Sequence, residues 1–363
     1  SVTGSADARE NVHALADTLH SWLNVSGSPG NLARYAVRSG KAMPFQIPDL
    51  NCAHSRVHCG VAWQGAAYDY VGHVSRDQYQ GVVLGAALAF DALAPGDARR
   101  DLLRADVVTL VKELMRERQV LVSIEINGLR FPATQVNARF IVLNPVEMVN
   151  GALDLRVSTS GGDGDMYGFQ EFSPDLADLV RQIPGLGWVP PIERASSAIM
   201  LASFFQVALH MTENDPAFTA DHQALADYYT GHTGPGGNVS HWLTIAKKWA
   251  PGSGCNQSYY ANNIMMEPLY NLARLETDPG RRTDVQQTLF KNTIWPTFQP
   301  TKNPFFSFLY AGTVPGASAQ VATDAALQLA QFPAAPRVHR PVDLRNDPRY
   351  PAEPGCSDQV VHS

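Results

Sequence analysis

The sequence predicts a mainly α protein, an (α/α) toroid of about five or six helical hairpins carrying a small β-hairpin insertion. Three observations predict it. Two stretches, Tyr79 to Phe90 and Ala195 to Thr212, are apolar on nearly every helical face, which marks helices buried between other elements. Amphipathic stretches with one polar face lie between the buried ones, in a coarse alternation of roughly 50 to 60 residues. Period-two alternation is confined to one short region after residue 119. Inner helices forming a hole and outer helices forming a rim satisfy all three.

The elements follow in order. Ala6 to Leu23 places Val12, Leu15, Leu19 and Leu23 at helical spacing. A Gly/Ser/Pro-punctuated stretch runs from there to Ser75. Ser75 and Gln78 then fit a capping box, and Val74 and Tyr79 occupy the two positions of a hydrophobic staple, so a helix starts at Arg76. Pro95-Gly-Asp ends it, and Asp97 to Arg118 forms the half-exposed partner, with Leu102, Val107, Val108, Val111 and Leu114 inward. Leu121 to Ile126 alternates, Asn127-Gly128 is a two-residue hairpin turn, and Leu129-Arg-Phe resumes the alternation. Further helices are expected at Pro174 to Gln182, Ala195 to Thr212, Ala220 to Tyr229, Val239 to Trp249, Ser258 to Glu276, Arg281 to Trp295 and Ala317 to Gln331. The whole chain, 1–363, reads as one domain with a hairpin and loop insertion at about 119–170 and an extended tail at about 332–363.

Composition narrows the function. Of 363 residues, 45% are hydrophobic and 17% charged, and the net charge of −6 is spread without long runs. No basic stripe with interleaved aromatics points to nucleic acid. The longest apolar run, Ile199 to Leu209, is broken by Ser203 and Gln206 and falls short of a bilayer span, so no membrane insertion is expected. Four cysteines suggest two disulfides, Cys52–Cys59 closing a small loop and Cys255–Cys356 tying down a Pro-rich tail, against the alternative of four reduced thiols. With a start at Ser1 and three glycosylation-type triplets, at Asn24, Asn238 and Asn256, these favour a secreted or periplasmic protein.

In a ring of this kind the N-terminal ends of the inner helices surround the cavity, and the residues there are the first site candidates. Asp77 lies in the first turn of its helix, where the dipole favours the carboxylate, so it suits a base or nucleophile. Arg76 can grip a substrate carboxylate through its bidentate fork, and His73 and Tyr79 flank it. The plainer reading is that Arg76 and Asp77 only dress a helix N-terminus. Tyr259, Tyr260, Asn262 and Asn263 precede or open another inner helix; aromatic faces and amides suit sugars, and a tyrosine can carry a proton. A capping loop is the alternative. His54 and His58 sit inside the Cys52–Cys59 loop and can reach the cavity, but their spacing does not match a zinc site. Glu125 becomes the second carboxylate of a glycosidase if the hairpin folds over the mouth. Asp163-Gly-Asp165 with Glu171 lacks a calcium-loop spacing, and His210 reads as a core histidine. No cofactor or metal is expected: P-loop, dinucleotide, Gly-x-Ser-x-Gly and His-Glu-x-x-His signatures are absent from the sequence.

The run Ser75-Arg-Asp-Gln-Tyr-Gln-Gly before a small-residue helix resembles inner-helix starts of the (α/α)-toroid glycoside hydrolases and polysaccharide lyases. Tyr259-Tyr-Ala-Asn-Asn, Pro268-Leu-Tyr-Asn-Leu-Ala-Arg-Leu-Glu and Asn303-Pro-Phe-Phe-Ser-Phe-Leu-Tyr look similar. That resemblance implies a glycan-active enzyme that hydrolyses or β-eliminates a glycosidic bond, with carbohydrate or another small organic substrate as its partner. Catalysis falls to Asp77, Tyr259, Tyr260, His73 or His58, and substrate binding to Arg76, Tyr79, His54, Asn262, Asn263 and Glu125. Two other functions stay open. The paired Met265-Met266 and Phe204-Phe205 suit a toroid hydratase or isomerase on a small apolar substrate such as a terpenoid, and the aromatic loops suit a non-catalytic carbohydrate-binding protein.

Overall fold

The computed structural model describes residues 5–41, 51–157, 166–231, 237–251, 259–301 and 303–330; from 252 to 263 side chains are not described, nor is that of residue 301. The chain divides into two compact units, Ser1–Ala246 and Lys247–Ser363.

The first unit opens with helix α1 (Ala6–Asn24), which buries Ala16, Leu19 and Leu23 and leaves Leu15 exposed. Strands β1 (Tyr35–Arg38), β2 (Val57–Trp63) and β3 (Ala66–Val71) form an antiparallel sheet in the order β1-β3-β2. The Cys52–Cys59 disulfide forms beside β2. Helix α2 (Arg76–Ala92) begins at the expected residue. The Ser75 amide donates to Gln78 Oε1 at 3.0 Å, and the staple residues Val74 and Tyr79 are buried. Helix α3 (Ala98–Met115) is capped by Asp97 Oδ1, which accepts from the Arg99 amide.

Next come β4 (Arg118–Ile126) and β5 (Leu129–Ala138), joined through Asn127 at φ 49° and Gly128 at φ 83°. Both turn residues are left-handed, as a type I′ hairpin turn requires. A second antiparallel pair consists of β6 (Ile141–Leu143) and, later in the chain, β9 (Phe169–Glu171). Between them β7 (Leu153–Val157) joins β4 in parallel, and β8 (Met166–Tyr167) joins β7, so the larger sheet runs β5-β4-β7-β8. Its inner face packs Val122, Ile124, Leu153 and Leu155 on the short helix α4 (Ala177–Val180) and the segment through Val189. Helix α5 (Ala195–Thr212) is apolar and long enough to cross a bilayer by composition alone, but it is 78% buried among the elements of this unit. Helix α6 (Thr219–Ala226) passes through a π-helical turn at Asp227–Gly231, and α7 (Gly237–Ala246) closes the unit.

The second unit contains α8 (Tyr259–Leu275), α9 (Pro279–Thr283), a π-helical stretch at Asp284–Ile294, α10 (Trp295–Phe298), α11 (Pro304–Thr313) and α12 (Ala319–Ala330). Trp295 stacks on Tyr310 with centroids 4.2 Å apart, holding α10 to α11.

The fold is a mixed α/β architecture with three sheets, both parallel and antiparallel, and this overturns the mainly α toroid with one small hairpin. Buried helices α2 and α5 were read correctly as buried. Their all-round apolar surface reports enclosure and not what encloses them. Part of that enclosure is β-structure: the Tyr79 ring packs edge-on against Phe172, just past β9, and Phe172 in turn meets Phe204 of α5. The helix expected at Pro174 to Gln182 shortens to α4.

Candidate functional site

The residues just before α2 meet the 145–147 turn and β8 at a compact cluster of imidazoles, a carboxylate and phenols. Its centre is Glu147, carried by a one-turn 3-10 helix (Pro145–Glu147) that follows β6. Proline at the first helical position suits such a turn, and the Asn144 amide fixes its start by donating to Gly168 O at 2.7 Å. Glu147 Oε1 accepts the His73 amide at 2.7 Å. His58 Nε2 lies 3.5 Å from the same oxygen, and His73 Nδ1 lies 4.0 Å from Oε2. The His58 nitrogen is buried with no hydrogen-bond partner of its own, so Glu147 is the acceptor it faces.

Three features hold the cluster. His73 has φ 54°, a left-handed conformation uncommon outside glycine, though histidine adopts it more readily than most side chains. Its amide is held by Glu147, and its carbonyl accepts from Arg34 Nη2 at 3.0 Å, so the strained residue is fixed from both sides. Gly72 leaves the space into which the carboxylate fits. A Cβ there would fall well inside 3.0 Å of Glu147 Oε1 and 3.1 Å from His58 Nε2. Aromatic rings close the sides: His58 stacks on Tyr70 at 4.6 Å, and His73 lies 5.4 Å from Tyr167. Burial, aided by the negative charge of Glu147, pushes the Tyr70 hydroxyl up to about 12.

At the first position of α2, Arg76 is buried and donates to Ser197 Oγ in the first turn of α5, tying the heads of the two buried helices together. At the N-cap of α5, Arg194 pairs with the fully buried Glu171 carboxylate and donates to Ser173 O at 2.8 Å. The heads of α2 and α5 thus carry Arg76 and Arg194, the latter matched by the Glu171 carboxylate.

The expected site residues divide accordingly. His58 and His73 come together. Asp77 is half-buried in the first turn of α2. Arg76 acts as a tie between helices, and Tyr79 is a core residue whose hydroxyl accepts the Leu32 amide at 3.0 Å. His54 Nδ1 accepts the Arg56 amide inside the disulfide loop. Glu125 stands opposite Arg130 across the β4–β5 hairpin, 3.6 Å from its Nε. Tyr259, Tyr260, Asn262 and Asn263 lie in the opening turns of α8, in the second unit, with side chains outside the described residues; Cys255, Cys356, Asp163 and Asp165 also lie outside them. His210 bonds Asp91 at 2.6 Å. Among the described residues no three His, Cys, Asp or Glu side chains are spaced to hold a metal ion.

Sequence reasoning missed Glu147, Tyr167, Arg194 and Ser197, and named Glu171 only in the calcium-loop reading it set aside. The logic that singled out the head of α2 would have found Arg194 and Ser197, since they head the other all-round apolar helix. Glu147 had no such signal, because a single turn after a proline has no periodicity. No protein-family model, curated protein or solved structure matches this chain, so nothing ties it to the toroid glycoside hydrolases.

Proposed function

We propose that the protein is an exported enzyme that transfers protons at the mouth of α2, and that its substrate is an acidic glycan cleaved by β-elimination. The observation that carries the reading is the convergence of His58 and His73 on Glu147. Imidazole is the side chain whose ordinary titration range is nearest neutrality, and a carboxylate behind it fixes its orientation, the arrangement a general base needs. Hydrolysis needs two carboxylic groups facing the bond from opposite sides. Glu147 is engaged with the histidines and Glu171 with Arg194. Among the described residues Asp77 is the one further carboxylate at the head of α2, short of the facing pair that hydrolysis needs, and the imidazole serves as the proton carrier.

In the proposed step His73 takes the proton from the carbon next to the uronate carboxylate. The freed electron pair forms the carbon–carbon double bond and breaks the bond to the glycosidic oxygen on the neighbouring carbon. That oxygen takes a proton from the Tyr167 hydroxyl. Arg76 and the first-turn amides of α2 supply the positive potential that stabilises the enolate-like charge. The Cys52–Cys59 disulfide is compatible with an oxidising compartment, and it supports the secreted or periplasmic placement.

The test is incubation of the full chain with a panel of acidic and neutral polysaccharides. A rise in ultraviolet absorbance with uronate-containing chains alone is the expected result. New reducing ends without that rise would replace elimination by hydrolysis, and no change with any glycan would remove the glycan reading.

A further inference from the structure

A separate cleft in the first unit lies where β5, the segment around α4 and the start of α7 meet. Its volume is about 480 Å³, within the size range of small-molecule sites. One wall is apolar: Trp242 and Tyr228 are buried, and Phe205 stacks on Tyr228 at 5.4 Å and tilts against Trp242 at 5.3 Å. Phe140, at φ 57°, sits 5.9 Å from Trp242 and completes this wall. Rigid packing of this kind presents a preformed surface to a flat or ring-shaped group.

The rest of the lining is polar and charged, and among the described residues its charges do not balance. Glu117 is matched by Arg139, which also hydrogen-bonds the Tyr228 hydroxyl. Asp175 and Asp178 share a single cation, Arg181, whose Nη1 lies 3.6 Å from one carboxylate and 3.5 Å from the other. Asp175 is further committed to the chain, since its Oδ1 accepts the Ala177 and Ile192 amides at 2.9 and 2.6 Å. Asp178 has no such duty and its side chain is 77% exposed. His241 is the other titratable group in the lining. Partial desolvation and, after it, the Asp175 charge raise the Asp178 carboxyl above the usual range, while Arg181 and His241 oppose the rise.

Gln182 keeps this geometry rigid. It donates to Asn137 O and accepts from Asn137 N, both at 2.8 Å, and so clamps the α4 segment onto β5. The cleft thus combines aromatic rings with one carboxylate in excess among the described residues.

We propose that this cleft binds a small organic cation, an ammonium group on a ring-sized apolar body, with Asp178 pairing the ammonium and Phe140 and the edge of Tyr228 covering the body. A cation between a carboxylate and aromatic rings gains from both. An anion of the same shape meets the excess carboxylate, and a neutral isostere gains only from the wall.

The test is calorimetric titration of the full chain with three molecules of one shape, benzylamine, benzyl alcohol and benzoate. Benzylamine binds saturably, at least about tenfold tighter than benzyl alcohol, and benzoate does not bind. Asp178→Asn, whose exposed side chain can change without disturbing the core, removes the preference for the amine and leaves benzyl alcohol binding as it was. Circular dichroism of the variant checks that the fold is kept. Equal affinity for benzylamine and benzyl alcohol, no binding of benzylamine, or an amine preference that survives in the variant would overturn the proposal.

Discussion

Replacing Gly72 with alanine probes the His–Glu–His cluster without touching any of its members. Its φ is outside the left-handed region, so the backbone tolerates a side chain, and the penalty is steric. The new Cβ must displace Glu147 Oε1 by about 1 Å to restore van der Waals separation. The carboxylate is the end of a flexible side chain, so it can retreat. In doing so it leaves hydrogen-bond range of the His73 amide, now 2.7 Å away. Losing a hydrogen bond to a charged group costs about 1.5–3 kcal/mol. Alanine for glycine at a compatible position returns about 0.4–1 kcal/mol through the unfolded chain, so the net expectation is about 1–2 kcal/mol of destabilisation. Urea unfolding followed by circular dichroism measures it, with an unchanged m-value as the check on the comparison. The same substitution made in a Glu147→Ala background meets no carboxylate and only the closer packing of the His58 ring, so its penalty falls to near zero. If the penalty is the same in both backgrounds, Glu147 does not occupy the space that Gly72 leaves and the cluster is wrongly built.

Other perturbations follow the same logic. Gly128→Ala at φ 83° meets no neighbouring atom, so its cost is purely that of the left-handed backbone, about 1 kcal/mol in the same unfolding assay. Glu171→Gln leaves the largely enclosed Arg194 without its counter-charge and is expected to cost about 3 kcal/mol, far more than a surface substitution. The Asp106 hydrogen bond, at 2.7 Å, raises the His20 titration above its ordinary 6.5, so the stability it confers is full below pH 6.5 and is lost as pH rises through the folded-state value. Stability measured against pH for the native chain and for His20→Gln should therefore differ most on the acid side and converge at alkaline pH; parallel curves would refute the coupling.

What the sequence discloses depends on the range of the interaction that fixes each element. The start of α2 was legible because Ser75, Gln78, Val74 and Tyr79 are all within five residues, and the structure places the helix at Arg76 as they require. Asn127-Gly128 disclosed its hairpin for the same reason: the turn needs two left-handed residues and the sequence supplies them. Strands β1, β2 and β3 were missed. Their one apolar face, Val61, Trp63, Tyr68 and Tyr70, is short and mostly half-exposed, and a bulge between His58 and Val61 breaks the register. That omission made the toroid plausible, since the buried helices then had only other helices to pack on. His58 and His73 were identified by their position before a buried helix. Glu147 joins them from 74 residues beyond His73, through tertiary packing that no local pattern records.

The initial rate of double-bond formation from a uronate-containing glycan, compared between the native chain and His73→Asn, tests the central claim most directly. Asparagine accepts the left-handed backbone at this position, so the fold is kept while the base is removed. The account predicts a fall of at least about 100-fold, the contribution of a positioned general base. A rate within about twofold of the native chain would contradict it. A full loss in Asp77→Asn with His73→Asn unaffected would move the base to Asp77.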